Sequence, residues 1–134
     1  MAGGNPSIIR TWTVVFHGDF DSGFERLSED VQDNPLAAAS AVQLAGPKAG
    51  RPHVDTLAGS KHANMKELRF TAHEGREVWR AAFAFDPARQ AIVLVAGEKQ
   101  GVSQALFYKR LIRIADARFD LHLHEVKSGR RPKG

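Results

Sequence analysis

Three cations recur where they could share one phosphate: Arg69 in KELRF, Arg80 in WRAAFAFD and Lys99 in GEKQG. An arginine presents a planar fork that matches two phosphate oxygens, and a lysine presents a mobile point charge. Clustered cations also lower a neighbouring lysine's pKa, which suits it to proton transfer near neutral pH. Lys66 lies close by in the chain. The same charges would serve equally on a solvated sheet face whose only task is solubility, and the residue types alone leave both readings open.

Strand periodicity decides which of these residues share a face. In the segment 78–85, Trp79, Ala81, Phe83 and Phe85 alternate with Val78, Arg80, Ala82 and Ala84. Successive side chains of a strand point to opposite faces. The aromatic set is expected to face the helices, which leaves Arg80 on an open face among small residues. In 65–72, Leu68 and Phe70 take the core side, so Glu67 and Arg69 share the open face with Arg80. Lys99 follows the next strand and can lean over the same face. The side taken by Lys66 is open.

The remaining elements must position that sheet. Thr11 to His17 (TWTVVFH) is rich in β-branched and aromatic residues and predicts a first strand, ended by Gly18. Ser22 and Glu25 have capping-box spacing, and Asn34-Pro35 reads as a break and restart, which predicts two helices folded back as a hairpin and ended by Gly46-Pro47. Residues 48–64 read as a long loop anchored by Val54 and Leu57. His73 to Arg76 (HEGR) reads as a hairpin turn, and Ala91 to Ala96 (AIVLVA) as a strand buried on both faces. Ser103 is expected to cap a final helix running to about Leu123. The order strand, two helices, three meandering strands, helix predicts an α+β domain: a small antiparallel sheet with the helical hairpin and the C-terminal helix packed on one face.

Composition sets the outer limits. The chain has 134 residues, 43% hydrophobic and 25% charged, which suits one globular domain. The division expected is a disordered start over 1–10, a single domain over 11–124 and a basic flexible tail over 125–134. There is no cysteine, so disulfides and thiolate metal sites are excluded. No apolar run preceded by positive charge opens the chain, and the longest apolar run, Ala91 to Gly97, is far short of a membrane span. A soluble, cytoplasmic protein without membrane contact is expected. The net charge of +4 is modest, but acidic residues crowd into the first helical region while Lys and Arg concentrate in the second half. That asymmetry permits a polyanionic partner.

His53, His62 and His73 fall in or near loops, where most histidines are plain surface groups; His62 is the best placed for acid–base chemistry because it precedes the strand carrying Glu67 and Arg69. His122 and His124 have metal-ligand spacing for a strand but not for a helix, and no metal or other cofactor is expected. Tyr108 and Lys109, near the start of the final helix, lie within reach of the site, and Tyr108 is assigned to the core rather than to it. No phosphate-binding glycine loop, zinc cluster or Ser-His-Asp set occurs.

GRPHVDTLAGSKHANMKELRF, followed by WRAAFAFDP, AIVLVAGEK and FYKRLI, resembles the HigB-like toxins of the RelE superfamily, in the branch of phage-derived or addiction-module killer proteins. The likeness runs from about Thr11 to about Leu123. It implies the compact RelE fold and a type II toxin that cleaves mRNA, most often on the translating ribosome. It also implies a cognate HigA-like helix-turn-helix antitoxin, with which such toxins commonly repress their own operon by binding operator DNA. Carried over by position, the catalytic candidates are Arg69, Arg80 and Lys99, with Lys66 a weaker match. His62, Glu67, Lys109 and Lys61 are the candidate RNA-binding residues. The histidines and acid of some other HigB branches have no clear counterpart here, which leaves the general base open, with Lys66 or Glu67 as the candidates and Lys99 acting in proton transfer or as a further electrostatic clamp. A non-catalytic RNA-binding module and an antitoxin-dependent co-repressor are the alternatives.

Overall fold

The structure, a computed structural model of the chain, describes residues 12–18, 20, 25–99 and 101–129, with the side chains of 33–38 left aside. Strands β1 (Thr13–Phe16), β2 (Val54–Thr56), β3 (Met65–Ala72), β4 (Glu77–Phe85) and β5 (Gln90–Glu98) form one sheet in the order β1-β5-β4-β3-β2. Helix α1 (Glu29–Ala45) and helix α2 (Gln104–Lys127) complete it, with a short 3-10 turn at Gly46–Lys48. Gly18 and Phe20 are also helical.

The α+β class and the strand meander are as expected, and three details differ. First, the sheet is antiparallel from β2 to β5, but β1 joins β5 in parallel. The helical segment between them makes that crossover possible, because parallel neighbours need a long connection. Second, α1 and α2 do not pack on one face. Val31 and Val42 of α1 bury with Leu68, Phe70, Ala81, Phe83 and Phe85, while Phe107, Leu111, Ala115 and Phe119 of α2 bury with Met65, Ala82, Ala84, Ile92 and Leu94. Alternating β4 residues thus feed two cores. The small residues Ala82, Ala84 and Ala115 let α2 approach the sheet closely. Third, no break occurs at Asn34-Pro35: Glu29–Ala45 is one helix, starting from Ser28 as N-cap. Proline costs this helix one ladder hydrogen bond, and burial of Val31, Ala39 and Val42 holds both sides of it in place.

The other terminators follow the residue types. Gly46 ends α1 at φ 58, and a Cβ there would collide with the Trp12 indole. Ser103 caps α2 by accepting the Leu106 amide at 3.2 Å. That helix runs to Lys127, past the end expected near Leu123. Val54 and Leu57 anchor the 48–64 loop as expected, and Val54 does so within the short edge strand β2. The expectations for residues 1–10, for the cap at Ser22 and for residues 130–134 lie outside the described residues.

The end of α2 is stitched to the β4–β5 turn by a buried pair. His122 Nε2 and Asp86 Oδ2 are 2.7 Å apart, with neither side chain exposed. Asp86 Oδ1 also accepts the amides of Ala88 and Gln90, at 2.9 and 2.8 Å. His122 thus ties α2 to the β4–β5 turn. Among the described residues no three His, Asp or Glu side chains gather as a metal site.

Candidate phosphate site

β3 and β4 pair so that Arg69 lies directly opposite Arg80, and Arg80 lies opposite Gly97 on β5. Like charges at such cross-strand positions repel. Glu67, two residues before Arg69 and so on the same face, offsets them. Its Oε2 accepts from Arg69 Nη1 at 2.8 Å, and its Oε1 lies 3.7 Å from Arg80 Nε. From α2, Tyr108 donates its hydroxyl to Glu67 Oε1 at 2.7 Å. The expected open face is therefore partly roofed by α2: the Glu67 side chain is 6% exposed and that of Arg80 9%, against 24% for Arg69.

Arg80 is held but not saturated. Its Nη1 donates to the Trp79 carbonyl at 2.9 Å, while its buried Nε has no hydrogen-bond partner. The acceptor nearest that buried N–H is Glu67 Oε1, within ion-pair distance but too far for a hydrogen bond.

Lys99 closes the group from the end of β5. Its amide donates to Val78 O at 2.8 Å, and its ammonium sits 5.5 Å from the Tyr108 ring centre. Burial, then the charges of Arg80 and Arg69, push the Lys99 pKa below the ordinary lysine value, and Glu67 partly opposes them. Burial and the bond to Glu67 push the Tyr108 pKa up, which keeps the phenol protonated at neutral pH. Three cations thus surround one carboxylate, and the site keeps a surplus positive charge.

The other candidates lie elsewhere. Lys66 has the alternation of Leu68 and Phe70, so it takes the sheet face opposite Glu67, and it contacts Thr56 Oγ1 at 3.3 Å. It does not join the cluster. His62 Nε2 meets Asp120 Oδ1 at 2.8 Å, with its ring edge-on to Phe119, and Lys61 pairs with the same Asp120. Ser60 and the Lys61 amide bind Asp116. This loop is latched to the far part of α2 at Asp116 and Asp120, roughly 12 to 18 Å along the axis from Tyr108. Lys109 is exposed on α2 beside Tyr108. The alternation puts Glu67 on this face without showing it at the centre of the cluster, and Tyr108, within reach of the site but assigned to the core, bonds to it. The signal for Tyr108 is its hydroxyl: a half-buried phenol needs an acceptor, and the Glu67 carboxylate, held by Arg69, supplies it.

An α+β sheet clasped between two helices, with a cation cluster under the second, defines a compact RelE-like domain. The family of proteins described as "Phage derived protein Gp49-like" matches residues 22–120, a span that includes all five members of the cluster. The chain is 44% identical over 101 residues to "Putative toxin HigB2" of Mycobacterium tuberculosis, covering 75% of this chain and 49% of that relative. It therefore spans about half the length of that protein. It is 42% identical over 116 residues to "Putative toxin HigB3" of the same organism, covering 87% of this chain and 97% of the relative. The chain belongs to the Gp49-like family and is HigB-like within it.

Proposed function

We propose that this protein is the toxin of a type II toxin–antitoxin pair and that it acts as a metal-independent mRNA endoribonuclease on the translating ribosome. The observation that carries the reading is the surplus of positive charge around Glu67, where Arg69, Arg80 and Lys99 converge on one carboxylate. Arg69 and Arg80 grip the scissile phosphate and stabilise the charge that grows on it. The RNA 2′-oxygen gives its proton to Glu67 and bonds to phosphorus. The bond from phosphorus to the 5′-oxygen breaks, and Lys99 supplies a proton to that oxygen. The products are a 2′,3′-cyclic phosphate and a free 5′-hydroxyl. A Lys99 pKa below the ordinary range supports its part as acid. Lys66, on the other face, has no part in the step.

The partners that follow are a HigA-like helix-turn-helix antitoxin, the ribosome with its mRNA, and operator DNA bound through the antitoxin. The reading places the protein in the cytoplasm. No helix among the described residues is long and apolar enough to cross a membrane.

The test is induction in bacteria beside an Arg80→Ala copy, with mRNA 5′ ends mapped during growth arrest. New cuts within translated frames, absent in the variant, are expected. Arrest without cuts, or cuts that persist in a folded Arg80→Ala protein, would overturn the reading.

A further inference from the structure

β5 carries one residue more than β4 along the stretch they share. Phe83 pairs with Val93, but Ala82 pairs with Val95, so Leu94 is the extra residue of a bulge. Leu94 and Val95 accordingly bury in the same core as Ala82, two successive residues on one face. The extra residue resets the alternation of everything after it. Arg80 lies opposite Gly97, and the Lys99 amide donates to Val78 O at 2.8 Å. Val78 and Arg80 share a face, so Lys99 joins the cation cluster while Glu98, opposite Trp79, takes the other side.

A ladder without the bulge would reverse that choice. Continued from the Phe83–Val93 pair, it would set Ala96 opposite Arg80 and Glu98 opposite Val78. A carboxylate would then stand where the lysine stands, and Lys99 would point away. The connection to Ser103 would gain one residue, which costs little. The Ala96 methyl would replace Gly97 beneath Phe107, whose ring would have to yield by a few tenths of an ångström.

The bulge is held from α2. Leu94 is fully buried, so its carbonyl needs a partner. Arg118 Nη1 donates to that carbonyl at 2.6 Å. Without this donor the bulged register loses a bond to a buried group, and the unbulged ladder gains on it. Arg118 lies about 15 Å along α2 from Tyr108, so it stands apart from the cluster it serves. We propose that Arg118 is a positioning residue for RNA cleavage: its bond to the Leu94 carbonyl keeps β5 in the register that presents Lys99, and not Glu98, to the scissile phosphate. The proposal rests on the toxin reading for the role of Lys99. Register can be read without RNA, so failure of that reading and failure of the proposal are told apart.

The test compares the full chain with Arg118→Met, which loses the donor, and Arg118→Lys, which keeps one. Residue-resolved amide exchange and NMR titration of the Lys99 ammonium report the register. In the parent the Lys99 amide is bonded to β4 and the Lys99 pKa lies below the ordinary lysine value. In Arg118→Met, amide protection should pass from Lys99 to Glu98, and the Lys99 pKa should return towards the ordinary value. Arg118→Lys should keep the parent's pattern. Cleavage should fall about tenfold or more in Arg118→Met. Glu98→Lys should leave the parent's cleavage within about twofold and restore cleavage to Arg118→Met, because a lysine then faces the phosphate in either register. A merely structural role for Arg118 predicts no such rescue. A folded Arg118→Met with the parent's exchange and titration would overturn the proposal, as would a swapped register that Glu98→Lys does not rescue. If Arg118→Met does not fold, Arg118→Gln is read in the same way. Failure of both to fold would make Arg118 a residue of the core and overturn the proposal too.

Discussion

Tyr108 on α2 and Arg69 on β3 divide one carboxylate between them, holding Glu67 Oε1 and Oε2 at 2.7 and 2.8 Å. The helix is thereby tied to the sheet at the point where the cations converge. Tyr108→Phe removes one bond to a buried carboxylate and should cost about 1–2 kcal/mol of stability. It should also slow cleavage, because Glu67 is then free to turn. Urea midpoints and single-turnover cleavage rates, measured together, check both effects.

Glu67→Gln leaves Arg69, Arg80 and Lys99 without their carboxylate. Loss of a buried partner should destabilise the fold by about 2 kcal/mol. With the internal competitor gone, RNA should bind more tightly while cleavage falls. Tighter binding should also show a steeper salt dependence. Titration of a non-cleavable RNA at several salt concentrations reads this, and weaker binding would contradict it.

Lys99 links the site to pH. Its folded pKa lies below the unfolded value, so the folded state holds fewer protons than the unfolded state between the two. The penalty on folding is full below the folded pKa and is relieved as pH rises from that value towards the ordinary lysine pKa of 10.5. Lys99→Met should therefore be more stable than the parent at neutral pH, lack the parent's gain on the alkaline side, and lose cleavage. Thermal melts across that pH range test the sign.

Asp86→Ala should destabilise the protein without touching the site. It removes the His122 bond and both turn amide bonds, which together should cost about 3 kcal/mol. Chemical denaturation would show the loss, and the folded fraction should keep its RNA affinity.

Lys66→Ala separates the two faces of the sheet. Lys66 takes the sheet face opposite Glu67 and contacts Thr56, so cleavage should stay within about twofold of the parent, as for distant, independent sites. A large loss of cleavage in a folded variant would return Lys66 to the site.

Periodicity made most of this architecture legible. Alternation in 65–72 and 78–85 placed Glu67, Arg69 and Arg80 on one face, and the structure gathers them with Lys99. It could not say what lay above that face. Whether α2 packs with α1 or across the sheet from it is a matter of tertiary packing, because both β4 faces carry buried residues: Phe83 on one, Ala84 on the other. Asn34-Pro35 misled for a related reason. Local breaker chemistry predicts a stop, but the buried stripe of Val31, Ala39 and Val42 outweighs one lost hydrogen bond. The Asp86–His122 pair was out of reach because its members meet only once α2 is seated. A turn aspartate and a helix histidine carry no sequence mark of each other.

The parallel pairing of β1 with β5 sets an order on synthesis. Thr13 finds its neighbour at Gln90, so β1 leaves the ribosome long before the strand it binds exists. Until β5 emerges, Val15 has no core to enter, since its buried companions Ile92, Leu94 and Phe119 all come later in the chain. Such long-range closure slows folding. A nascent copy therefore stays incomplete until translation has passed the catalytic candidates Arg69 and Arg80, and it is finished only when α2 roofs them. On the toxin reading, the cell has that interval in which to have an inhibitor waiting.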